Sequence, residues 1–321
     1  MTIHQSGIAV VAGATRGAGR GIARALGEAG YRVVCTGRST RDRRSGYDMP
    51  ETIDETAAMI PGALAIAVDH AREAEVVALF DRVERELGPI DVVVDSVAGE
   101  DPSFGRWTGM VDSDLANAPR ALEQGLVTHL HTAMHACRRM RARGRGLLVE
   151  VTEYDLLLGA GGNLVTAIVK LAIKALAATL AEELRGAHVA CVSITPGFLR
   201  SEAMLRHFGV TAERWRDAGA KDPHFLHSES PLFIGRAVAH LARDPAVMQR
   251  TGQILSSWQL AREYGFSDED GTRPDWGEHW RTGVAPTMPE LRAGIEHQAI
   301  WLEQLARTAR DQLGADASRL R

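Results

Sequence analysis

The sequence predicts an α/β protein: a doubly wound parallel sheet in a single domain, followed by a C-terminal helical extension. Three observations predict it. An apolar run from Ile8 to Val11 passes through Gly13, Gly17 and Gly19 into a segment whose Ile22, Ala25 and Leu26 share one helical face. Short apolar runs then alternate with amphipathic segments along the chain, the pattern of parallel strands joined by right-handed helical crossovers. These runs are continuously apolar rather than alternating, as strands covered on both faces must be.

The elements follow in order. Arg32 to Thr36 reads as the second strand, Glu51 to Met59 as a helix broken by Pro61-Gly62, and Leu64 to Val68 as the third strand. A helix from near Ala71 to Leu87 carries Val76, Val77, Leu79, Phe80 and Val83 as its apolar side and stops at Gly88-Pro89. Asp91 to Asp95 is the fourth strand, Ser96 to Pro119 an irregular loop, Arg120 to Arg143 a helix and Leu147 to Val151 the fifth strand. A long helix runs from about Asn163 to Leu184, and His188 to Ile194 is the sixth strand. Ser201 to Ser230 has weak periodicity and reads as part of a substrate lid over about 198–230. Pro231 to Ala242 is helical, Gly252 to Ser257 a last strand, and Pro289 to Leu313 spaces its apolar residues as an amphipathic helix does. The domain is expected over 1–284 and the extension over 285–321.

Composition limits the function classes. A formal charge of −4 over 321 residues, with scattered arginines and no recurring aromatic-and-basic stretch, gives no footprint for nucleic acid. No apolar run is read as a membrane span, and Met1 to Gly7 has no signal-peptide pattern. Cys35, Cys137 and Cys191 lie far apart in apolar stretches, which favours reduced thiols in a cytoplasmic protein. No metal site is expected. His131 and His135 are four apart but lack an acid or third ligand nearby in sequence, and with His129 they are read as lining a pocket.

The glycine turn carries the first chemistry. Gly13 allows a tight exit from the strand, Gly17 lets a phosphate approach the backbone, and Gly19 lets the helix pack closely. Thr15, Arg16 and Ala18 complete a loop whose N–H groups, at a helix N-terminus, suit an anion. The second strand ends in Gly37-Arg38, where an acidic residue would bind a free ribose hydroxyl and an arginine a 2′-phosphate. Arg38, with Arg16, therefore points to NADP(H), the alternative being a solvated basic loop through Arg41, Arg43 and Arg44. Asp69 and His70, at the end of the third strand, either reach an adenine or cap the next helix.

Over about residues 6–260 the chain resembles a short-chain dehydrogenase/reductase. The resemblance rests on Gly13, Gly17 and Gly19, Asp69, the stretch Val92 to Gly99, Lys170 and Pro196-Gly197, in the family's order. The run from Thr195 to Met204 and that from Lys221 to Phe225 resemble a bacterial branch with a longer lid. The resemblance implies a Rossmann fold and hydride transfer with a small organic substrate. It places Ser96, Val97, Pro196, Gly197 and Ser201 against the cofactor and Lys170 on its ribose. It also implies that the helices from Arg120 and Asn163 pair in a homodimer or homotetramer.

The family's Tyr-x-x-x-Lys pair appears here as Thr166 and Lys170, and its serine falls on Thr152 or Glu153. Its asparagine falls on Gly125 or a near neighbour, and Asp95 to Gly99 is one residue longer than the family's pattern. Tyr154, or Glu153 if burial raised its pKa, could replace the lost proton donor; otherwise they are a loop aromatic and a solvated carboxylate. The expected function is an NADP(H)-dependent reduction of a carbonyl, imine or conjugated alkene with a non-standard proton donor. A redox-neutral cyclase or dehydratase, or a non-catalytic NADP(H)-binding protein, is the alternative.

Overall fold

The computed structural model describes residues 7–44, 49–98, 110–112, 115–153 and 164–287, with isolated positions between 293 and 308. Seven parallel strands form one sheet in the order β3-β2-β1-β4-β5-β6-β7. They are β1 (Gly7–Ala12), β2 (Tyr31–Gly37), β3 (Leu64–Ala67), β4 (Ile90–Asp95), β5 (Gly146–Val151), β6 (Val189–Thr195) and β7 (Ile254–Ser256). Between them lie α1 (Gly17–Glu28), α2 (Ile53–Ala58), α3 (Glu73–Glu86), α4 (Ala118–Leu122), α5 (Thr128–Arg143), α6 (Leu164–Leu184), α7 (Glu202–Phe208) and α8 (Pro231–Arg243). Then come α9 (Ser257–Tyr264) and α10 (Trp276–His279).

The pleat of the strands sorts their side chains between two apolar cores. Ala9 and Val11 of β1, Val92 and Val94 of β4, and Leu147 and Val149 of β5 pack with α1 and α8. Val10, Val93 and Leu148 face the other way and pack with α3, α5 and α6. Burying both faces shields the central strands and leaves their carboxyl ends open to a ligand.

Glycine sets how closely α1 and α8 approach. A Cβ added at Gly21 would lie 1.8 Å from the Pro231 carbonyl oxygen, and one at Gly235 2.3 Å from that of Gly21. The expectation that Gly19 packs its helix on the sheet is sharpened here: a Cβ at Gly19 would meet the Gly13 carbonyl at 2.2 Å, inside the turn itself. Tyr31 adds a hydrogen bond of 2.7 Å to the Ala242 carbonyl.

Several elements differ from their sequence reading. The single helix expected from Arg120 is α4, a π-helical turn at Glu123–Val127 and α5 in succession. Gly125 sits in that π turn, which widens the helix by one residue per turn. Helix α6 with its last turn, Leu164–Ala187, is long and apolar enough to cross a membrane by length and composition, which the sequence reading did not anticipate. Its Leu180, Ala181 and Leu184 pack into the core with α3 and α5, while 39% of the apolar window is buried. The stretch from Ser201 to Ser230 is not irregular. It holds α7 and 3₁₀ turns at Trp215–Ala220 and Pro223–His227 around its own cluster of Phe208, Trp215, Ala218 and Phe225.

The chain divides after Trp276. The second unit, from Gly277, contains a π-helical turn at Trp280–Val284 and a 3₁₀ turn at Ala285–Thr287, and its described positions between 293 and 308 are helical.

The α1–α8 crossing gives the first prediction. Gly21→Ala must push one backbone against another, so it is expected to cost about 3 kcal/mol, read as a lowered urea midpoint. Gly62→Ala, with open space around its Cβ but φ +74°, should cost about 1 kcal/mol.

Candidate active site

The glycine turn, the β4 exit and the segment after β6 meet at the carboxyl ends of the strands. A Cβ at Gly13 would lie 2.5 Å from the Ser96 carbonyl oxygen and 2.8 Å from the Val97 nitrogen, so two backbones touch where the cofactor would lie. Ser96 is held by its N–H to the Ala12 carbonyl at 3.0 Å. Helix α1 has no side-chain cap, and Arg16 at its N-cap is in extended conformation. The Gly17 N–H donates instead to Glu202 Oε2 of α7 at 2.7 Å. Uncapped N–H groups at a helix N-terminus favour an anion, and the lid itself supplies one here.

Opposite charges crowd this edge. Arg16 Nε lies 3.5 Å from Glu51 Oε2, both side chains nearly buried, and Arg206 of α7 bonds the same carboxylate. Burial works to raise Glu51, but the hydrogen bond from Arg206 and the charge of Arg16 hold it below its ordinary range. Arg20 pairs with Glu55 and, at 3.3 Å, with Glu202. Arg38 is half-buried, and a Cβ at Gly37 would lie 2.7 Å from Thr15 Oγ1, which keeps Thr15 against the β2 exit.

The expected β3-exit contacts resolve into structure. Asp69 accepts from the Ala71 N–H at 3.2 Å, a turn cap, and lies 3.8 Å from Arg72. His70 is a correction to the cofactor set: its imidazole is buried, 2.8 Å from both Thr36 Oγ1 and Thr132 Oγ1. Burial lowers its pKa, so the ring is neutral and ties β2 to α5 from inside.

On the substrate side, Thr152 donates to the Lys170 carbonyl at 3.1 Å, and Lys170 Nζ lies 3.6 Å from Glu153. Glu153 is half exposed, so the burial on which its role as an acid depends is missing. Thr166 is half-buried one turn before Lys170 on α6. Tyr154 and Gly99 lie outside the described residues. Pro196 accepts from Thr195 through its carbonyl, and the Gly197 N–H donates to Glu229 at 2.8 Å. Glu229 is fully buried, which pushes it up to about 8 against the hydrogen bonds from Ser257 and Gly197. Ser201 caps α7, accepting from the Met204 N–H, and stands beside Gly17, whose neighbour Ala18 is half-buried. The segment after β6 is pinned to the rest of its unit by the buried Arg200–Asp268 pair at 2.9 Å, with Arg200 stacked 4.0 Å over Trp215.

The three helix histidines do not line a common pocket, which corrects that reading. His135 bonds Glu73 at 2.8 Å and His131 the His70 carbonyl at 3.1 Å. His129 is 1% exposed and bonds Glu150 through Nδ1 and the Val97 carbonyl through Nε2, the latter at 2.9 Å. Burial opposes its charge, but Asp95 and Glu150 raise it to about 9, while burial raises Glu150. The acids that serve His129 are 34 and 21 residues away in sequence terms that no local spacing reveals. Glu51, Glu202 and Glu229 were missed for the same reason.

Comparison with known proteins completes the picture. A family described as "Enoyl-(Acyl carrier protein) reductase" matches residues 13–257. The chain is 34% identical over 280 residues to "Dehydrogenase/reductase SDR family member 1" of Mus musculus, covering 82% of this chain and 83% of that protein. The Homo sapiens protein of the same name is 32% identical over 276 residues, with 82% and 83% covered. A solved "short chain dehydrogenase/reductase family protein" superposes with a TM-score of 0.60 at 25% identity, over 78% of this chain and 94% of that one. With its sheet order, glycine turn and Lys170 all in place, the chain belongs to the short-chain dehydrogenase/reductase family of oxidoreductases.

Proposed function

We propose that this chain is an NADP(H)-dependent reductase of a small carbonyl, imine or conjugated alkene, working without the tyrosine acid of its family. The observation that carries the reading is the uncapped N-terminus of α1, its Gly17 N–H already bonded to a carboxylate and its turn backed by the β4 exit. An anion held there fits a pyrophosphate. Gly13, Thr15, Gly17, Ala18 and Gly19 would hold the dinucleotide with Ser96 and Val97, Arg16 and Arg38 a 2′-phosphate, and Lys170 the ribose. Pro196, Gly197 and Ser201 would meet the carboxamide end. When bound, the cofactor supplies a hydride.

The side chains divide the remaining work. Lys170, balanced by Glu153, brings positive charge to the substrate side, and Thr166 offers a hydroxyl too weakly acidic to donate a proton outright. A substrate that carries its own positive charge, such as an iminium, removes the need for that proton. The missing acid also favours the redox-neutral reading, in which the dinucleotide is only held. The buried free thiols support a cytoplasmic setting. The exposed apolar Ile168 on the largely apolar α6 supports pairing of two or four copies through that helix.

These readings generate the following expectations. Incubation of NADPH with carbonyl, imine and enone panels should consume nicotinamide absorbance in step with product; product without such loss selects the redox-neutral reading. Lys170→Met should lower turnover about a hundredfold and Thr166→Val less than about threefold. Glu51→Gln frees Arg16 and should tighten NADPH about fivefold while leaving NADH unchanged; equal changes for both would remove Arg16 from phosphate recognition. Ile168→Glu should reduce the mass seen by light scattering to that of one chain.

A further inference from the structure

One row of the sheet breaks its apolar pattern. Ala12 of β1 is paired with Thr36 of β2 and with Asp95 of β4, Asp95 with Glu150 of β5, and Glu150 with Ser193 of β6. The pleat therefore sends Thr36, Asp95, Glu150 and Ser193 to the α5 side, within two residues of the strand ends. All four are buried. Into this row α5 inserts His129 and Thr132.

The hydrogen bonds place one proton on the His129 ring and a second between the ring and Glu150. The Val97 carbonyl has only lone pairs, so Nε2 carries hydrogen. Nδ1 faces a Glu150 oxygen, so a second proton lies between ring and carboxylate. Among the described residues, Asp95 Oδ2 and Glu150 Oε1 are buried and make no further hydrogen bond, and both acids face the one ring. Val97 is gripped at both ends: Asp95 Oδ1 accepts its N–H at 3.0 Å while His129 holds its carbonyl. That same peptide lies against Gly13.

We propose that His129 is a positioning residue: a buried imidazolium, clamped by Glu150, that holds the Ser96–Val97 exit at the height the glycine turn needs to receive the dinucleotide. The inference rests on the cofactor reading above and gives that site a pH limit. The titratable groups facing the ring are Asp95 from β4, Glu150 from β5 and neutral His70 from the β3 exit. Along the neighbouring helices, Glu73 of α3 is bonded to His135 and Lys170 of α6 is paired with Glu153, while Lys174 of α6 is buried. Loss of the second proton would set the Nδ1 lone pair against the Glu150 carboxylate, two acceptors face to face. The fold favours the charged ring, so its contribution is complete below the ordinary 6.5 and is lost as pH rises through about 9.

Glu150→Gln isolates the effect, because its amide can donate to Nδ1 of a neutral ring while Nε2 keeps Val97. Wild-type NADPH affinity should fall about tenfold between pH 8 and 10. In Glu150→Gln it should equal wild type at pH 7 and stay level over that range. His129→Ala should bind about tenfold more weakly at every pH. Nitrogen-15 spectra of the histidine rings should show both His129 nitrogens protonated at pH 7 in wild type. A parallel decline in wild type and Glu150→Gln, a singly protonated ring at pH 7, or a stoichiometric metal ion in the purified protein would overturn the proposal. If no NADPH binds at any pH, the cofactor reading fails by itself. Hydrogen-exchange protection of the Val97 amide, corrected for intrinsic rate, then decides: loss above pH 9 in wild type but not in Glu150→Gln upholds the positioning role, and equal behaviour refutes it.

Discussion

Gly13 and the β4 exit approach so closely that no side chain fits between them, and the rest of the strand-end architecture depends on that approach. It brings Ser96 and Val97 over the glycine turn, beside the first turn of α1, whose Gly17 N–H is held by Glu202. A bulky residue at 13 would separate the two backbones and with them the floor from the wall of any dinucleotide site.

The apolar strands were legible because burial on both faces leaves a signal in a few consecutive residues. Val10-Val11, Val92 to Val94 and Leu147 to Val149 need no partner to be recognised. The glycine turn was legible because backbone geometry is local. What stayed hidden depends on register. Asp95 and Glu150 read as polar punctuation at strand ends, and only their pairing with each other and with Ala12 makes them one row. The same holds for Glu202, 185 positions from the N–H it bonds. His70 was misassigned because a strand end is equally a place to face a ligand or to turn inward, and Thr36 and Thr132 decide it. The lid was read as irregular because its helical turns are shorter than the window over which periodicity shows.

Charge at the dinucleotide edge is arranged in opposed pairs rather than as a basic patch. Arg16 and Arg206 meet on Glu51, and Arg20 spans Glu55 and Glu202. Two of these six side chains, Arg206 and Glu202, come from α7, so the segment after β6 is joined electrostatically to the turn it would cover. Guanidinium groups held this way keep their orientation, and an incoming phosphate exchanges one anion for another instead of meeting unpaired cations.

The glycine crossing of α1 and α8 has a consequence for how the molecule is made. Residues 21 and 235 must be in place together, and Tyr31 closes on Ala242 beside them. A chain emerging from its N-terminus forms β1, the turn and α1 early, yet that unit keeps an uncovered apolar face until α8 has been synthesised. Contacts spanning so much of the sequence raise the contact order and slow the search. The glycine turn, first to be written in the sequence, is among the last parts of the molecule to be finished.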